Sequence, residues 1–315
     1  MKVSVIIPTY KRTAHLEKCL GSLLKQKLLP EQIIVVTVAD DSQSHLIVDK
    51  AIKNENNGCL IQESRIGRLN IVYAENQGLK SALGEIVCFI DDDAFAPDDW
   101  IFSIVKRYEE DPKTGGVGGP VIPFVDGKPV LEYSNVFGRM NWYGRRETNS
   151  TKIIPGPAEV DFLRGANMSF RRSLICSFDD NLLAYWRRFE DDVCLSIKEK
   201  GYKIVCDPQI KVFHAQLHEN RKDTVDQTPE TIIGLHHNSL YVKLKHIKGF
   251  KKVICIFFEL IWGDDTTPGC LSIVLYGIKH GKPRKLTESI YALLGKLKGI
   301  FTYLKFRTGR EKCLF

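Results

Sequence analysis

The stretch "VCFIDDDAFAPDDW", residues 87–100, drives an apolar run straight into Asp91, Asp92 and Asp93. A short, continuous apolar run bounded by turn residues suits a strand covered on both faces. Three adjacent carboxylates at its end repel one another, so positive charge must be brought to that point. Side chains two apart on an extended chain point the same way, which sets Asp91 and Asp93 on one face, roughly 6–7 Å apart along the backbone. Hard, anionic oxygen donors of this kind suit Mg2+ or Mn2+, with water and substrate phosphates completing the shell. A solvated turn is the plainer reading of three acids after a strand, and the surrounding sequence decides between the two.

Working outward, "VSVII" (3–7) reads as a β-branched strand ending at Pro8. Leu16, Leu20, Leu23 and Leu24 fall at helical spacing over 13–28, with Thr13 as N-cap. "QIIVVTVAD" (32–40) gives a second buried strand and 43–56 a polar helix. Either "GCLIQES" (58–64) or "LNIVYA" (69–74) supplies further extended chain, and a short helix then leads into the acidic stretch. This strand–helix rhythm predicts βαβ units and an α/β domain with a mostly parallel central sheet. Open sheets of this kind bind ligands beyond the carboxyl ends of their strands, where Thr9, Asp40, Asp41 and Asp91–Asp93 arrive. After residue 100 come a helix, the glycine-rich run "TGGVGGPVIPF", an aromatic and loop-rich region at 126–157, and "VDFLRGANMSFRR". A helix through "FEDDVCLSIKEKG" (189–201), closed by Gly201, precedes the strand "YKIVCD". From about residue 229 the chain reads as helical, amphipathic and basic.

A 315-residue chain, 43% hydrophobic and 26% charged, is ordinary globular protein. Nine cysteines without a CxxC pair read as reduced, mostly buried thiols in a cytosolic compartment. No secretory signal and no run of about 18 apolar residues is seen, so the expected location is cytoplasmic, or peripheral on the inner face of the cell membrane. The net charge of +7 is uneven: residues 243–315 hold fifteen Lys/Arg against five Asp/Glu. A mildly acidic body with a basic tail argues against nucleic acid as a partner.

These motifs, in this order, resemble the family 2 glycosyltransferases, inverting enzymes of the GT-A fold. "VSVIIPTYKR" looks like their opening strand and loop, "VVTVADDSQS" their nucleotide segment, and "AENQGLKSALGEIVCFIDDDAFAPDDW" their helix, strand and DxD signature. "RGANMSFRR" resembles the segment lining donor sugar and acceptor, and "FEDDVCLSIKEKGYKI" the helix supplying the catalytic base. The resemblance implies a catalytic domain over 1–245, split into a nucleotide-sugar-binding half (1–120) and an acceptor-binding half (121–245), plus a helical extension at 246–315. It implies Asp191 as general base, with Asp192 the adjacent candidate, since neighbours on a helix face different ways. It gives Pro8, Thr9, Tyr10, Arg12, Asp40, Asp41, Lys80, Asp91, Asp92 and Gly165 to the nucleotide and donor, and Asp93 and His214 to Mg2+ or Mn2+, with His218 a weaker substitute. "HHNSLYVKLKH" (236–246) resembles a donor-side helix, through Asn238 or Lys243. Glu190, Trp142 and Trp186 are acceptor-side candidates. The implied partners are a nucleotide diphosphate sugar, UDP or dTDP before GDP, and a glycan or lipid-linked acceptor.

Departures occur at Ser42-Gln43-Ser44, where Gly-Ser-Thr is commoner, and at Lys80, where arginine is frequent. The acids of "WGDDTTPG" (262–269) follow no strand array and read as a turn between helices. The segments 250–262 and 286–307 carry apolar and basic residues at helical spacing, which suits an anionic membrane surface, packing on the catalytic domain, or a homodimer contact. Two rivals stand beside the transferase reading: a degenerate glycosyltransferase kept as a binding subunit, and a DxD phosphotransferase of the haloacid dehalogenase type. The latter expects its acids near the chain start, followed by threonine and valine, and this chain has Ala94-Phe95.

Overall fold

In the N-terminal half each buried apolar run becomes a strand and each amphipathic run a helix. β1 (Val3–Thr9), α1 (Thr13–Leu23), β2 (Gln32–Val38), α2 (Ser42–Lys53), β3 (Leu60–Ile66), α3 (Ile71–Ser81) and β4 (Ile86–Ile90) follow in turn. This computed structural model describes residues 1–54, 58–182, 187–215 and 228–308. Of the two stretches expected to extend, the first forms β3. The second turns helical at Ile71, because Asn70 caps α3 by accepting from the Tyr73 amide at 2.9 Å. Thr13 is the first residue of α1 and does not cap it; Arg12 holds that position without a side-chain bond to the helix.

Beyond the acids come β5 (Ala94–Phe95), α4 (Trp100–Glu110), β6 (Thr114–Gly118), β7 (Val121–Val125), β8 (Lys128–Pro129), β9 (Arg139–Met140), β10 (Arg146–Glu147), β11 (Ala158–Val160) and β12 (Asn167–Arg171). Then follow α5 (Phe189–Glu199), β13 (Lys203–Cys206), β14 (Val212–Ala215), α6 (Pro229–His246), α7 (Lys251–Ile261), α8 (Cys270–Lys279) and α9 (Arg284–Thr308). The chain forms two compact units. One takes the described residues of Met1–Gly138, Thr148–Phe178 and Val193–Gln216; the other takes those of Arg139–Glu147, Asp179–Asp192 and Leu217–Phe315.

The first unit is built on an eight-stranded sheet of order β11-β13-β6-β12-β4-β1-β2-β3. β4, β1, β2 and β3 are mutually parallel, as βαβ connections require, while β12 runs antiparallel to both β4 and β6. Val5, Ile7, Ile33, Val35, Cys88 and Ile90 point to one face and pack with Leu16, Leu20 and Leu23 of α1 and Trp100 and Ile104 of α4. On β1 the intervening Ile6 meets α3, and Gly78 permits the approach, since a Cβ there would lie 2.5 Å from Ile6 Cγ2. A second, four-stranded sheet, β5-β14-β7-β8, grows from the chain just past the acids.

In the second unit α6 is the most enclosed helix, with Ile232, Leu240, Tyr241, Val242 and Leu244 all buried. α9 packs on α6 through small residues: a Cβ at Gly295 would lie 2.5 Å from the Ile233 carbonyl oxygen, and one at Gly299 2.7 Å from that of His237. Among the described residues no helix is long and apolar enough to cross a membrane. Cys19, Cys59, Cys88, Cys194, Cys206 and Cys255 are buried free thiols, as their apolar settings suggested.

Close α6–α9 packing predicts that Gly295→Ala or Gly299→Ala lowers stability in urea unfolding, by about 1–3 kcal/mol for overpacking. Gly21→Ala in α1, with nothing within 4 Å of the added carbon, should instead stabilise by up to about 1 kcal/mol through helix propensity.

Candidate active site

The acids that end β4 are met by three groups of opposite character in the first unit. Arg12 places Nη1 2.7 Å from Asp93 Oδ2 and 3.1 Å from Asp92 Oδ1. Thr9 donates its hydroxyl to Asp92 at 2.8 Å. His214 Nε2 lies 2.9 Å from Asp93 Oδ1 and 3.8 Å from Asp91 Oδ2. His214 is delivered there by register: β14 pairs antiparallel with β5, setting His214 opposite Ala94, and the Ala215 amide donates to the Asp93 carbonyl at 2.9 Å. Buried Asn167 ties the surrounding pieces together. It accepts from Trp100 Nε1 at 3.0 Å and donates to the Ile210 carbonyl at 2.6 Å.

Asp91, Asp93 and His214 each offer one ligand atom, all within 4.8 Å of one another. Two carboxylates and an imidazole suit Mn2+ well and Mg2+ acceptably, so the donor set fits the expected divalent cation. The local electrostatics point the same way. Lost hydration and the charge of Asp93 raise Asp91 to about 6, against the pull of His214. Burial alone would lower His214, but its hydrogen bond with Asp93 and the charges of Asp93 and Asp91 more than reverse this and raise it.

The nucleotide segment divides its two acids. Asp40 is exposed, accepting from Tyr10 Oη at 3.1 Å with Lys11 Nζ at 3.3 Å. Asp41 is buried and structural in its bonds, capping α2 through the Ser44 amide at 3.2 Å and accepting from the Lys11 amide at 2.5 Å. Those donors hold the Asp41 carboxyl below its ordinary value, against burial, which would raise it. Lys11 adopts φ 55°, a left-handed backbone uncommon for a lysine and tied down here by Asp41. Pro8 lies in β1, opposite Val36. Lys80 is exposed in the last turn of α3, and Gly165 sits half-buried in the turn closed by the Arg164–Asn167 bridge.

In the second unit the first turn of α5 presents Glu190, Asp191 and Asp192, and the last two face different ways. Asp192 meets Lys245 Nζ at 2.9 Å and His246 Nε2 at 2.8 Å. Asp191, 2% exposed, meets Arg146 Nη2 at 2.8 Å and Arg188 Nη1 at 3.4 Å. Burial raises Asp191 to about 7; Arg188 and Lys243 oppose this, and the negative charge of Asp264 adds to it. Arg188 stands one residue before α5 at φ 83°, a strained conformation for a non-glycine, which its buried side-chain partners hold. It donates to Thr266 Oγ1 at 2.6 Å and pairs with Asp264 at 3.4 Å. Asp264 in turn meets Lys243 at 2.9 Å, Lys243 pairs with Glu259, and Glu259 meets Lys296 at 2.5 Å. Trp142 is exposed, its ring 5.2 Å from that of Tyr143. Trp186 and His218 lie outside the described residues.

Against known proteins, the profile of Glycosyl transferase family 2 matches residues 4–177, more than half of the chain. The chain belongs to glycosyltransferase family 2. The "Glucosyl-dolichyl phosphate glucuronosyltransferase" of Haloferax volcanii is 27% identical over 225 residues, covering 68% of this chain and 69% of its own length. The "Dolichyl N-acetyl-alpha-D-glucosaminyl phosphate 3-beta-D-2,3-diacetamido-2,3-dideoxy-beta-D-glucuronosyltransferase" of Methanococcus voltae is 24% identical over 221 residues, covering 66% of this chain and 65% of its own. Among solved structures, the mannosyltransferase PcManGT of Pyrobaculum calidifontis, in complex with GDP-Man and Mn2+, superposes with a TM-score of 0.59 at 18% identity, over 95% of this chain and 87% of that one. That likeness shows the GT-A fold.

Sequence reasoning about this glycosyltransferase missed Arg146, Arg188 and the buried charge chain behind them. The "WGDDTTPG" stretch does form the turn between α7 and α8, yet its Asp264 is buried and paired with Arg188 and Lys243. One signal was available: Glu259 interrupts the apolar run "VICIFFELIW", and a lone acid on a buried helix face needs cations. Lys243 is spent on this network. Because Lys296 and Glu259 are both 0% exposed, Glu259→Leu should lower unfolding free energy by about 3–5 kcal/mol, through the buried Lys296 ammonium that loses its carboxylate, while Lys243 keeps Asp264. The double variant Glu259→Leu/Lys296→Met should recover part of that loss in urea titrations.

Proposed function

We propose that this family 2 glycosyltransferase moves a sugar, with inversion, from a nucleoside diphosphate sugar to a hydroxyl of a lipid-linked acceptor. The observation that carries the reading is the Asp91–Asp93–His214 cluster at the carboxyl end of β4, a ligand set for a divalent cation. Asp91, Asp93 and His214 would hold Mg2+ or Mn2+, which supplies charge neutralisation for a departing diphosphate. Arg12 pairs with Asp92 and Asp93 and holds them in place, and Thr9 fixes the orientation of Asp92. The exposed Asp40, steadied by Tyr10 and Lys11, is the group we assign to the nucleotide base, with UDP and dTDP sugars ahead of GDP sugars. The lipid-linked acceptor is supported by the Haloferax volcanii and Methanococcus voltae relatives, whose names make them glycuronosyltransferases acting on dolichyl-phosphate-linked sugars.

Asp191 is assigned the proton of the attacking hydroxyl. A carboxylate whose pKa is raised to about 7 is matched to proton transfer at neutral pH. Arg146 and Arg188 fix its two oxygens, so the group that accepts the proton is held in one orientation.

Purified protein incubated with UDP-, dTDP- and GDP-sugars and a polyprenyl-phosphate-linked acceptor tests the reading through release of nucleoside diphosphate. Release from one donor should need Mg2+ or Mn2+ and vanish in Asp93→Ala. Asp191→Asn should lower kcat by about 10^2–10^4-fold, as for loss of a general base. Since the base works deprotonated, kcat/KM of the parent should fall as pH drops below about 7, following the raised Asp191. Turnover that persists in EDTA, or an Asp191→Asn variant with parental kcat, would sink the proposal.

A further inference from the structure

The outer helices of the second unit are amphipathic the wrong way round. On α9, Leu286, Ile290, Leu293, Leu294, Leu297, Phe301 and Leu304 recur at intervals of three and four, and all are exposed, Ile290 at 59% and Phe301 at 68%. The opposite side of the same helix, Ser289, Ala292, Gly295, Lys296 and Gly299, is the buried one. α8 repeats the pattern, with Leu271, Leu275 and Ile278 outward and Ile273 and Gly277 inward. α7 does so too, with Val253 and Phe257 outward and Cys255 and Glu259 inward. Phe250 and Trp262, at the two ends of α7, are also exposed. A water-facing helix turns its leucines inward. Three consecutive helices that turn theirs outward mark a surface made to be covered.

Charge identifies the cover. Lys298 and Lys305 are exposed and lie seven residues apart on one flank of the α9 stripe. Between α8 and α9 a recess is lined by Tyr276, Lys282, Arg284, Lys285 and Glu288. Acidic side chains offer little competition among residues 247–308: Glu259 and Asp264 are buried, Glu288 pairs with Lys285, and Asp265 is the one left at the surface. We propose that the outward faces of α7, α8 and α9 dock this protein on an anionic phospholipid bilayer, their apolar side chains entering the headgroup–acyl boundary and their lysines meeting lipid phosphates. Leucine, phenylalanine and tryptophan flanked by lysine compose an interfacial helix of this sort. A second copy of the chain fits less well, because a two-fold interface sets a patch against itself and would bring the basic flanks together. The proposal stands apart from the transfer chemistry and is tested without it.

The full-length protein is sedimented with phosphatidylcholine vesicles and with phosphatidylcholine–phosphatidylglycerol vesicles, at low and high salt. Binding is expected to the anionic vesicles, weakened by salt and by omission of phosphatidylglycerol. Ile290→Ser/Phe301→Ser should cut the partition coefficient roughly tenfold or more, by loss of two inserted apolar side chains. Lys298→Glu/Lys305→Glu should cut it by a similar factor through charge alone. All four side chains are exposed, so circular dichroism and Tm should stay at parental values. Absence of parental binding to anionic vesicles at low salt overturns the proposal. So does binding undiminished in both double variants, and so does a stable dimer in sedimentation equilibrium that Ile290→Ser/Phe301→Ser dissolves.

Discussion

Everything in the first unit bends to one electrostatic constraint, which is that a fully buried strand ends in three consecutive carboxylates. β4 has no freedom to retreat, since both of its faces are packed and both of its edges are paired, with β1 on one side and β12 on the other. The charges must therefore be answered where they stand. Arg12, from the loop after β1, answers Asp92 and Asp93; Thr9 satisfies Asp92; His214, carried in by β14, answers Asp93 from the other side. Burial and the charge of Asp93 together raise the Asp91 carboxyl, with His214 opposing them. A divalent cation is the natural completion of such a set.

The second unit solves a different problem with the same means. Its buried charges run as an alternating series, Lys296–Glu259–Lys243–Asp264–Arg188–Asp191–Arg146, in which each acid lies between two bases. Alternation offsets part of the desolvation cost that an isolated buried charge would carry. The series also explains the left-handed backbone at Arg188, because a side chain held by Asp191, Asp264 and Thr266 fixes where its backbone must lie.

The strands and the site acids were legible for physical reasons. Continuous apolar runs such as "IVCFI" and "QIIVVTV" admit few conformations, and DxD and Glu-Asp-Asp sit at the ends of elements whose periodicity is plain. Asp191 and Asp192 could be told apart in principle from the turn of a helix alone, and the structure sends one to Arg146 and the other to Lys245. Arg146, Arg188 and Asp264 were not legible, because each is one of two adjacent like-charged residues with no periodic pattern around them to say which turns inward, and tertiary structure alone joins them. The orientation of α9 was hidden for another reason. Its sequence shows a leucine stripe and a small-residue stripe, and the ordinary rule buries the leucines. Here Gly295 and Gly299 face α6 instead, so the leucines are left outside.

Calorimetry reads the cation proposed for the β4 acids directly, without any donor sugar or acceptor. Mn2+ is titrated into the protein in the presence and absence of UDP, with Asp93→Asn and His214→Ala alongside. Saturable Mn2+ binding that strengthens with UDP, is abolished by Asp93→Asn and weakened by His214→Ala, is the predicted result. Binding of UDP to the same extent in EDTA as in Mn2+, with Asp93→Asn indistinguishable from the parent, would contradict the claim that these carboxylates exist to hold a metal against a diphosphate.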